Sequence, residues 1–469
     1  MIRPLQLLVL LCSFSGFAQQ AKHLGTDPAL ISSAELLSQY VQIPSESGQE
    51  ADAGQFFMEQ CRNRGLHISP LGQDDGQFNF MASLFPLEEK KPNVVLMNHI
   101  DVVPDNEGNT HGQYSGEIED GYLYGRGAID NKGVAVMHLV ALSRIKANEN
   151  YQDSPFNISM LTVSCEEAQC PGGMQHVLSN FVEEINAAVV IGEGPSDLST
   201  LMDGEFPNSI YGISRAHKRA YWMELEIEID GFGHGSVTPD SYANKEMVAA
   251  LQSLTKKKQK AVFNDINTEF LKGMAQYRKG IQRLVLKHPR LFKPILVPQL
   301  RKTPELFSIF SNTMTLTNIN SSSQTINTNS VVAKAGLDCR LLPETDEKEF
   351  EAEIKKRLKN EKIKLKVIKS TPRNRPSSNS NIFYKNLKSA ILEQYPGAET
   401  IDVLMPNIND MGYFRALNVP AYGSIPIQLT KSEVESIHGI DERIPLSELE
   451  SGTNVFYIFL KKMIYSSTD

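Results

Sequence analysis

Four polar stretches of this chain each sit at or just beyond the end of an apolar, β-branched run or open a helix: Asn98-His99-Ile100-Asp101, Gly125-Arg126-Gly127-Ala128-Ile129-Asp130, Glu166-Glu167 and Gly192-Glu193-Gly194. Strand ends of this kind are where α/β folds place their working groups. A fifth stretch, Ile437-His438-Gly439, follows far downstream. Together they offer two histidines and three carboxylates, a ligand set that suits Zn²⁺. Five such groups exceed the three protein ligands of a mononuclear catalytic zinc, so two metals sharing one carboxylate fit better. His99 and Asp101 stand two apart on a strand and share a face, which lets the Asp101 carboxylate accept the imidazole N–H and orient the ring. Glu166 and Glu167 are neighbours; a strand continued to that point sends them in different directions, so one ligates while the other moves protons.

The pattern around these stretches predicts the fold. Apolar residues recur at helical spacing around Leu30, Ile31, Ala34, Leu37 and Val41, and again at Phe56, Phe57 and Cys61 with Gly65 as a stop. Val94 to Met97 is a buried strand leading into His99, and the polar run from Asp105 to Gly121 is a surface loop. Asp130 precedes a helix with an apolar face from Val134 to Ile145, whose N-terminus favours a negative charge. Strands are expected at 158–164 and 187–191 with a helix between them at 174–185. Strand, helix, strand in this rhythm implies βαβ units and a mixed, largely parallel sheet with helices on both faces. Past Tyr211 the pattern changes: alternating strands at 221–229, 313–317, 331–340 and 363–367, helices at 244–254 and 347–358, and a helix-rich stretch from Phe263 to Phe310. This is an inserted α+β unit, with the Pro/Ser/Asn-rich residues 371–381 as the return linker and a helix and short strand at 383–394 and 419–422 beyond it.

At 469 residues with 41% hydrophobic content the chain exceeds one ordinary core, and two domains are the default. A net charge of −8 speaks against nucleic acid as a partner, and the run Lys256-Lys257-Lys258-Gln259-Lys260 reads as a solvated helix face. Residues 1–18 read as a secretory signal: Arg3, an apolar stretch from Leu5 to Leu11, and Gly16-Phe17-Ala18 for cleavage, too short to span a bilayer. Export to the periplasm or beyond follows, and no other stretch is apolar enough to span. Of the remaining cysteines, Cys61, Cys165, Cys170 and Cys339, the pair Cys165 and Cys170 brackets the glutamates; a disulfide there would stiffen the turn, and free buried thiols are the blander reading.

Asn98 through Pro104, Gly125-Arg126-Gly127 with Asp130-Asn131-Lys132-Gly133, Glu166-Glu167 followed by Gly172-Gly173, and Ile437 through Arg443 together resemble the M20 metallopeptidases, the family of carboxypeptidase G, carboxypeptidase S, aminoacylase and succinyl-diaminopimelate desuccinylase. The resemblance covers nearly the whole mature chain in order. It implies that Asp130 bridges two metals, that His99, Glu167, Glu193 and His438 complete their ligation, and that Glu166 is the general base with Asp101 behind His99. It implies a catalytic domain in two parts, 19–212 and 372–469, around a lid or dimerisation domain at 213–371. In that lid, His234 matches a histidine that stabilises the oxyanion, often across a dimer, and Asn327 and Arg340 match positions that contact substrate. Three positions depart from the family pattern: Asn98 before the histidine, Cys165 before the glutamate pair, and Asn327-Thr328-Asn329-Ser330 in the lid turn.

The implied activity is di-zinc hydrolysis, with Co²⁺ or Mn²⁺ as substitutes, of an amide in a peptide or N-acyl amino acid with a free carboxylate. The long lid and the tail motif look most like the carboxypeptidase S branch. A dipeptidase or short-chain aminoacylase is the nearest rival within the family. From other classes, a non-catalytic binding protein would typically have lost ligands or base, and a metallophosphatase would need a cluster of Arg or Lys near these motifs that the sequence lacks. The resemblance leaves the assembly open between a homodimer paired through the lid and a monomer whose enlarged insert fills that position within one chain.

Overall fold

A computed structural model of the chain describes residues 31–72, 78–200, 206–230, 234–323 and 325–466. The expected signal segment, like Gly233 of the lid loop, lies outside the described residues. The strand Asn93–His99 is buried along its whole length, and its alternate residues serve two cores. Val94 and Leu96 pack with helices Ser33–Val41, Ala51–Asn63, Lys132–Asn148, Ile382–Gln394 and Leu446–Ile464. Val95 and Met97 pack on the opposite face beneath Met174–Ile185 and Met411–Ala416. A strand covered on both sides must be apolar throughout, and each fully buried Val or Leu contributes about 1.5–3 kcal/mol.

Eight strands form the large sheet, in the spatial order His67–Pro70, Phe80–Ser83, Asn157–Val163, Asn93–His99, Ala187–Gly192, Ala421–Gly423, Ile210–His217 and Glu399–Met405. The strands that carry the site, Asn157–Val163, Asn93–His99 and Ala187–Gly192, run parallel, whereas the first two strands pair antiparallel. This is the mixed, largely parallel sheet with helices on both faces. Glu399–Met405 was not foreseen: as an edge strand it is only partly covered, so its sequence carries neither a continuous apolar run nor clean alternation. The helix Lys132–Asn148 is buried on nearly every side, as an all-round apolar helix must be. Its entrance demands Gly133, where a Cβ would meet the Ala128 carbonyl oxygen at 2.1 Å.

A second sheet is antiparallel, ordered Thr313–Ser321, Val332–Leu341, Arg219–Glu228, Lys364–Ser370, with helices Ala243–Lys256 and Glu347–Leu358 over one face. Two expectations change here. The switch placed near Ile213 falls inside Ile210–His217, whose eight residues are all buried in the large sheet, and the chain leaves that sheet only after His217. The helices between Asp265 and Ser308 do not enlarge the lid: Phe263, Ile266, Phe270, Leu296 and Leu300 pack on Ile210, Ala216, Ile401 and Val403 at the edge of the large sheet. Cys165 and Cys170 form a disulfide, so the free-thiol reading holds only for Cys61 and Cys339, both buried.

Candidate metal centre

Three strand ends, one helix entrance and one distant loop converge. Asn93–His99 ends in His99, the turn after Asn157–Val163 carries Glu166 and Glu167, and Ala187–Gly192 leads into Glu193. Asp130 stands two residues before Lys132–Asn148, and His438 follows the short helix Lys431–Ser436. Glu193 is pressed against Ala421–Gly423 so closely that a Cβ on Gly423 would lie 2.3 Å from the Glu193 carbonyl oxygen.

The imidazole Nδ1 of His99 lies 2.9 Å from the backbone carbonyl oxygen of Asp101. A carbonyl only accepts, so Nδ1 holds the proton and Nε2 is left to face the site. His99 Nε2 lies 3.2 Å from Asp130 Oδ1 and 3.3 Å from Glu193 Oε2. On the other side, His438 Nε2 lies 2.8 Å from Glu167 Oε1 and 3.3 Å from Asp130 Oδ2. Asp130 thus gives one oxygen to each cluster. Ligands placed tetrahedrally at ~2.0–2.1 Å from a zinc-sized ion are roughly 3.3 Å apart, close to the spacing found here. One ligand atom each from His99, Asp130 and Glu167 also falls within a 4.8 Å group.

The charge balance points the same way. Burial works against the charge on Asp130, but His438 and His99 outweigh it and hold the carboxyl well below the usual range. The two imidazoles favour its ionised form. Burial pushes Glu167 up to about 7 and raises Glu193, and Asp130's charge adds to both. His438 is raised to about 10 by Asp130 and Glu167. His99 is raised well above its ordinary value because Asp101, Asp130 and Glu193 overcome its burial. Carboxylates gathered in a buried site need compensating cations, and imidazole with carboxylate is the donor set of a divalent metal. The residues present fit a pair of such ions.

Glu166 stays outside the ligand set. Burial and the Glu193 charge raise its carboxyl well above the ordinary value, so it readily holds a proton. Its Oε1 lies 3.4 Å from Gln169 Nε2, which also donates to the Glu166 carbonyl at 2.7 Å and approaches Asp410 Oδ1 at 3.5 Å. The glutamates do part ways, though not by strand alternation: the strand ends at Val163, and Cys165 takes φ +62° before the turn. Asp101's part also differs from expectation. Its Oδ1 is 3.4 Å from His99 Nδ1, farther than its backbone oxygen, while Oδ1 and Oδ2 accept the N–H groups of Glu166 and Glu167, each at 2.9 Å. Ser47 donates to Oδ2 at 2.7 Å. The carboxylate therefore holds the glutamate turn, and the backbone orients the histidine.

The lid residues are not gathered here. His234 is exposed, bonded through Nδ1 to Ser236 Oγ at 2.7 Å, and lies beside Asn327, whose carbonyl accepts the Gly235 N–H at 2.6 Å. Arg340 pairs with Asp338 at 3.3 Å within the lid sheet. Asn98 is buried, and its Nδ2 lies 3.5 Å from His138 Nδ1.

Several residues at the centre carried no assigned role in the sequence reading. Asn131 Nδ2 donates to Glu193 Oε2 at 3.3 Å, and its Oδ1 accepts the His99 N–H at 3.4 Å. Asp410 is buried beside Glu166 with its carboxyl pushed up to about 7 by that burial. Lys369, on the strand Lys364–Ser370 of the second sheet, donates to the carbonyl of Gln169 and ties that sheet to the turn that carries Glu166. Glu442 and Asp441 lay within the tail motif without an assigned role. Glu442 Oε1 accepts from Ile129 and Asp130, its Oε2 from Gly127 and Arg126. Asp441 accepts from Thr110 and His111, and Asn106 donates to the His438 carbonyl at 2.6 Å.

The model of peptidase family M20/M25/M40 matches residues 95–462. The N-fatty-acyl-amino acid synthase/hydrolase PM20D1 of Mus musculus is 25% identical over 399 residues, 81% of this chain and 76% of that protein. Probable carboxypeptidase S-like 2 of Dictyostelium discoideum is 24% identical over 384 residues, 80% of this chain and 72% of that protein. Among solved structures, the M20 family metallo-carboxypeptidase Sso-CP2 of Sulfolobus solfataricus superposes with a TM-score of 0.69 at 17% identity, covering 92% of this chain and 99% of that one. The Bacillus subtilis YXEP protein, a dinuclear metal binding peptidase, shares the fold at a TM-score of 0.55 and 11% identity, covering 93% and 98%. With the family model matching residues 95–462, well over half of the sequence, this chain belongs to peptidase family M20/M25/M40 and is a hydrolase of that family.

Proposed function

We propose that this hydrolase cleaves the amide bond of an N-acyl amino acid or peptide bearing a free carboxylate, using two zinc ions, or Co²⁺ or Mn²⁺ in their place. His99 and Glu193 would hold one ion, His438 and Glu167 the other, and Asp130 both. The observation that carries this reading is the division of Asp130's two oxygens between the two imidazole-carboxylate clusters, with Glu166 buried alongside and free of both. Held by these residues, such ions would supply Lewis acidity, to a scissile carbonyl and to water near neutral pH. Glu166 takes the proton from the attacking water and returns it to the leaving nitrogen. Gln169 and the Asp101 carboxylate hold Glu166's turn in place while it does so. His234 would donate to the developing oxyanion once a lid covers the centre, in the same chain or across a homodimer; single donors of this kind contribute about 3–4 kcal/mol.

The relatives named for N-fatty-acyl-amino acid hydrolysis and as carboxypeptidase S-like support the substrate class. Export is part of the same reading, and the Cys165–Cys170 disulfide supports it, since such bonds persist in oxidising compartments. Incubating the purified protein with a panel of N-acyl amino acids and dipeptides, with and without chelator, tests the proposal. Hydrolysis of N-acyl amino acids or blocked peptides, lost on chelation and restored by Zn²⁺, is expected. Cleavage of free dipeptides alone would make it a dipeptidase, and no cleavage by metal-loaded protein would end the reading.

A further inference from the structure

Residues 270–304 contain nine lysines and arginines and no aspartate or glutamate, in a chain whose net charge is −8. This stretch includes the helices Gly280–Lys287 and Lys293–Leu300, joined by a short turn. Their inward sides are already used: Val285, Leu286, Phe292 and Val297 pack on the cluster built around Leu296 and Leu300 at the edge of the large sheet. Four large aliphatic side chains remain in water. Ile281 is 77% exposed, Leu284 49%, Leu291 74% and Ile295 55%. They alternate with exposed Lys279, Arg283 and Lys287, which form no ion pair among the described residues.

Exposed aliphatics are costly in water, and here the hairpin cannot turn them inward because its other side is anchored. Long cationic side chains flanking them can extend past an apolar layer to reach charged headgroups. A helix with cations and aliphatics on its outer arc is the pattern of an interfacial membrane helix, lying in the surface rather than crossing it. No helix among the described residues is long and apolar enough to cross. An acidic protein as a whole is repelled by an anionic surface, so a single acid-free hairpin also fixes which side approaches.

We propose that this hairpin is a docking surface for a lipid bilayer with anionic headgroups. Ile281, Leu284, Leu291 and Ile295 enter the acyl boundary while Lys279, Arg283 and Lys287 engage phosphate. Nothing in this depends on the substrate of the metal centre.

The test is sedimentation of the purified, metal-loaded protein with vesicles of phosphatidylcholine alone or with about 30 mol% phosphatidylglycerol. The protein should pellet with the anionic vesicles only, and raising salt from about 0.1 to about 0.5 M should weaken binding roughly tenfold. The double variants Ile281→Asn/Leu291→Asn and Arg283→Glu/Lys287→Glu should each lose roughly tenfold in partitioning, with metal content and hydrolysis of a water-soluble substrate unchanged. Wild-type protein left in the supernatant, or variants that pellet equally, would overturn the proposal. So would an oligomer, in the absence of lipid, that Ile281→Asn dissociates, because the face would then belong to a second copy of the chain.

Discussion

Glu442 meets Asp130 from 312 positions away: its Oε1 accepts the Asp130 backbone N–H at 3.1 Å, so the tail loop grips the peptide that carries this carboxylate. The same carboxylate pairs with buried Arg126 at 3.0 Å, and Arg126 donates in turn to the Gly439 carbonyl at 2.8 Å. One buried group thus fixes both Asp130 and the loop that presents His438. Removing one member of such a pair strands the other charge, which costs about 3–5 kcal/mol. Glu442→Ala is therefore expected to lower the denaturation midpoint sharply and to reduce metal content, read by chemical unfolding and elemental analysis. An unchanged midpoint would show the clasp to be idle.

Asp130 faces both clusters, so its loss should disable both at once. Titration calorimetry of metal-free wild type should give two equivalents of Zn²⁺, and Asp130→Ala at most one, bound at least tenfold more weakly. A binding partner of the native state at 100 times its dissociation constant adds about 2.7 kcal/mol, so chelation should also lower the unfolding temperature. Two tight equivalents in the variant would rule out a shared carboxylate.

Glu166 moves protons and holds no metal in the proposed arrangement. Glu166→Gln should keep two equivalents of metal and lose about 10²–10⁴-fold in kcat. Full turnover in the variant would mean another group is the base; loss of metal would make Glu166 a ligand.

Lys369 links the lid to the carbonyl of Gln169, two residues from Glu167. A hydrogen bond of this type contributes about 0.5–1.5 kcal/mol, so Lys369→Met should lower kcat/KM by roughly 2- to 10-fold while metal stoichiometry stays the same. Steady-state kinetics with one good substrate decides this, and equal kcat/KM values would remove Lys369 from the machinery.

Lys218, at the point where the chain leaves the large sheet, is buried and its amine is pushed down to about 7 by that burial. Its Nζ donates to Thr313 Oγ1 at 2.8 Å and to the Ser308 carbonyl at 3.2 Å. Between pH 7 and the ordinary lysine range the unfolded chain binds this proton and the folded one does not, so stability rises with pH across that window. Measured by urea unfolding, wild type should gain on Lys218→Met from pH 7 to pH 10. A difference that does not vary with pH would refute the buried, neutral amine.

Four of the five candidate ligands could be picked out in the sequence because each stands at the edge of a local pattern: His99 closes an apolar strand, Glu167 and Glu193 follow two more, and Asp130 opens a helix. Strand periodicity is a short-range property that survives in one dimension. The same logic misread two details nearby. Glu166 and Glu167 diverge through a turn opened by the left-handed Cys165, and Asp101 grips that turn with its carboxylate while its carbonyl orients His99. Both depend on backbone conformation just beyond a strand, where periodicity stops.

Residue order alone determined which groups are candidates to bind metal, that His99, Glu167 and Glu193 follow the ends of parallel strands, and that a separate α+β unit interrupts the sequence between them and His438. Only the tertiary structure decided that His438 reaches Asp130 and Glu167, that Glu442 and Lys369 tie distant segments to the centre, and that helices 265–308 belong to the edge of the large sheet. These are contacts between residues with no common local pattern, formed where burial, charge and close packing select partners across hundreds of positions, and no window along the chain contains both members.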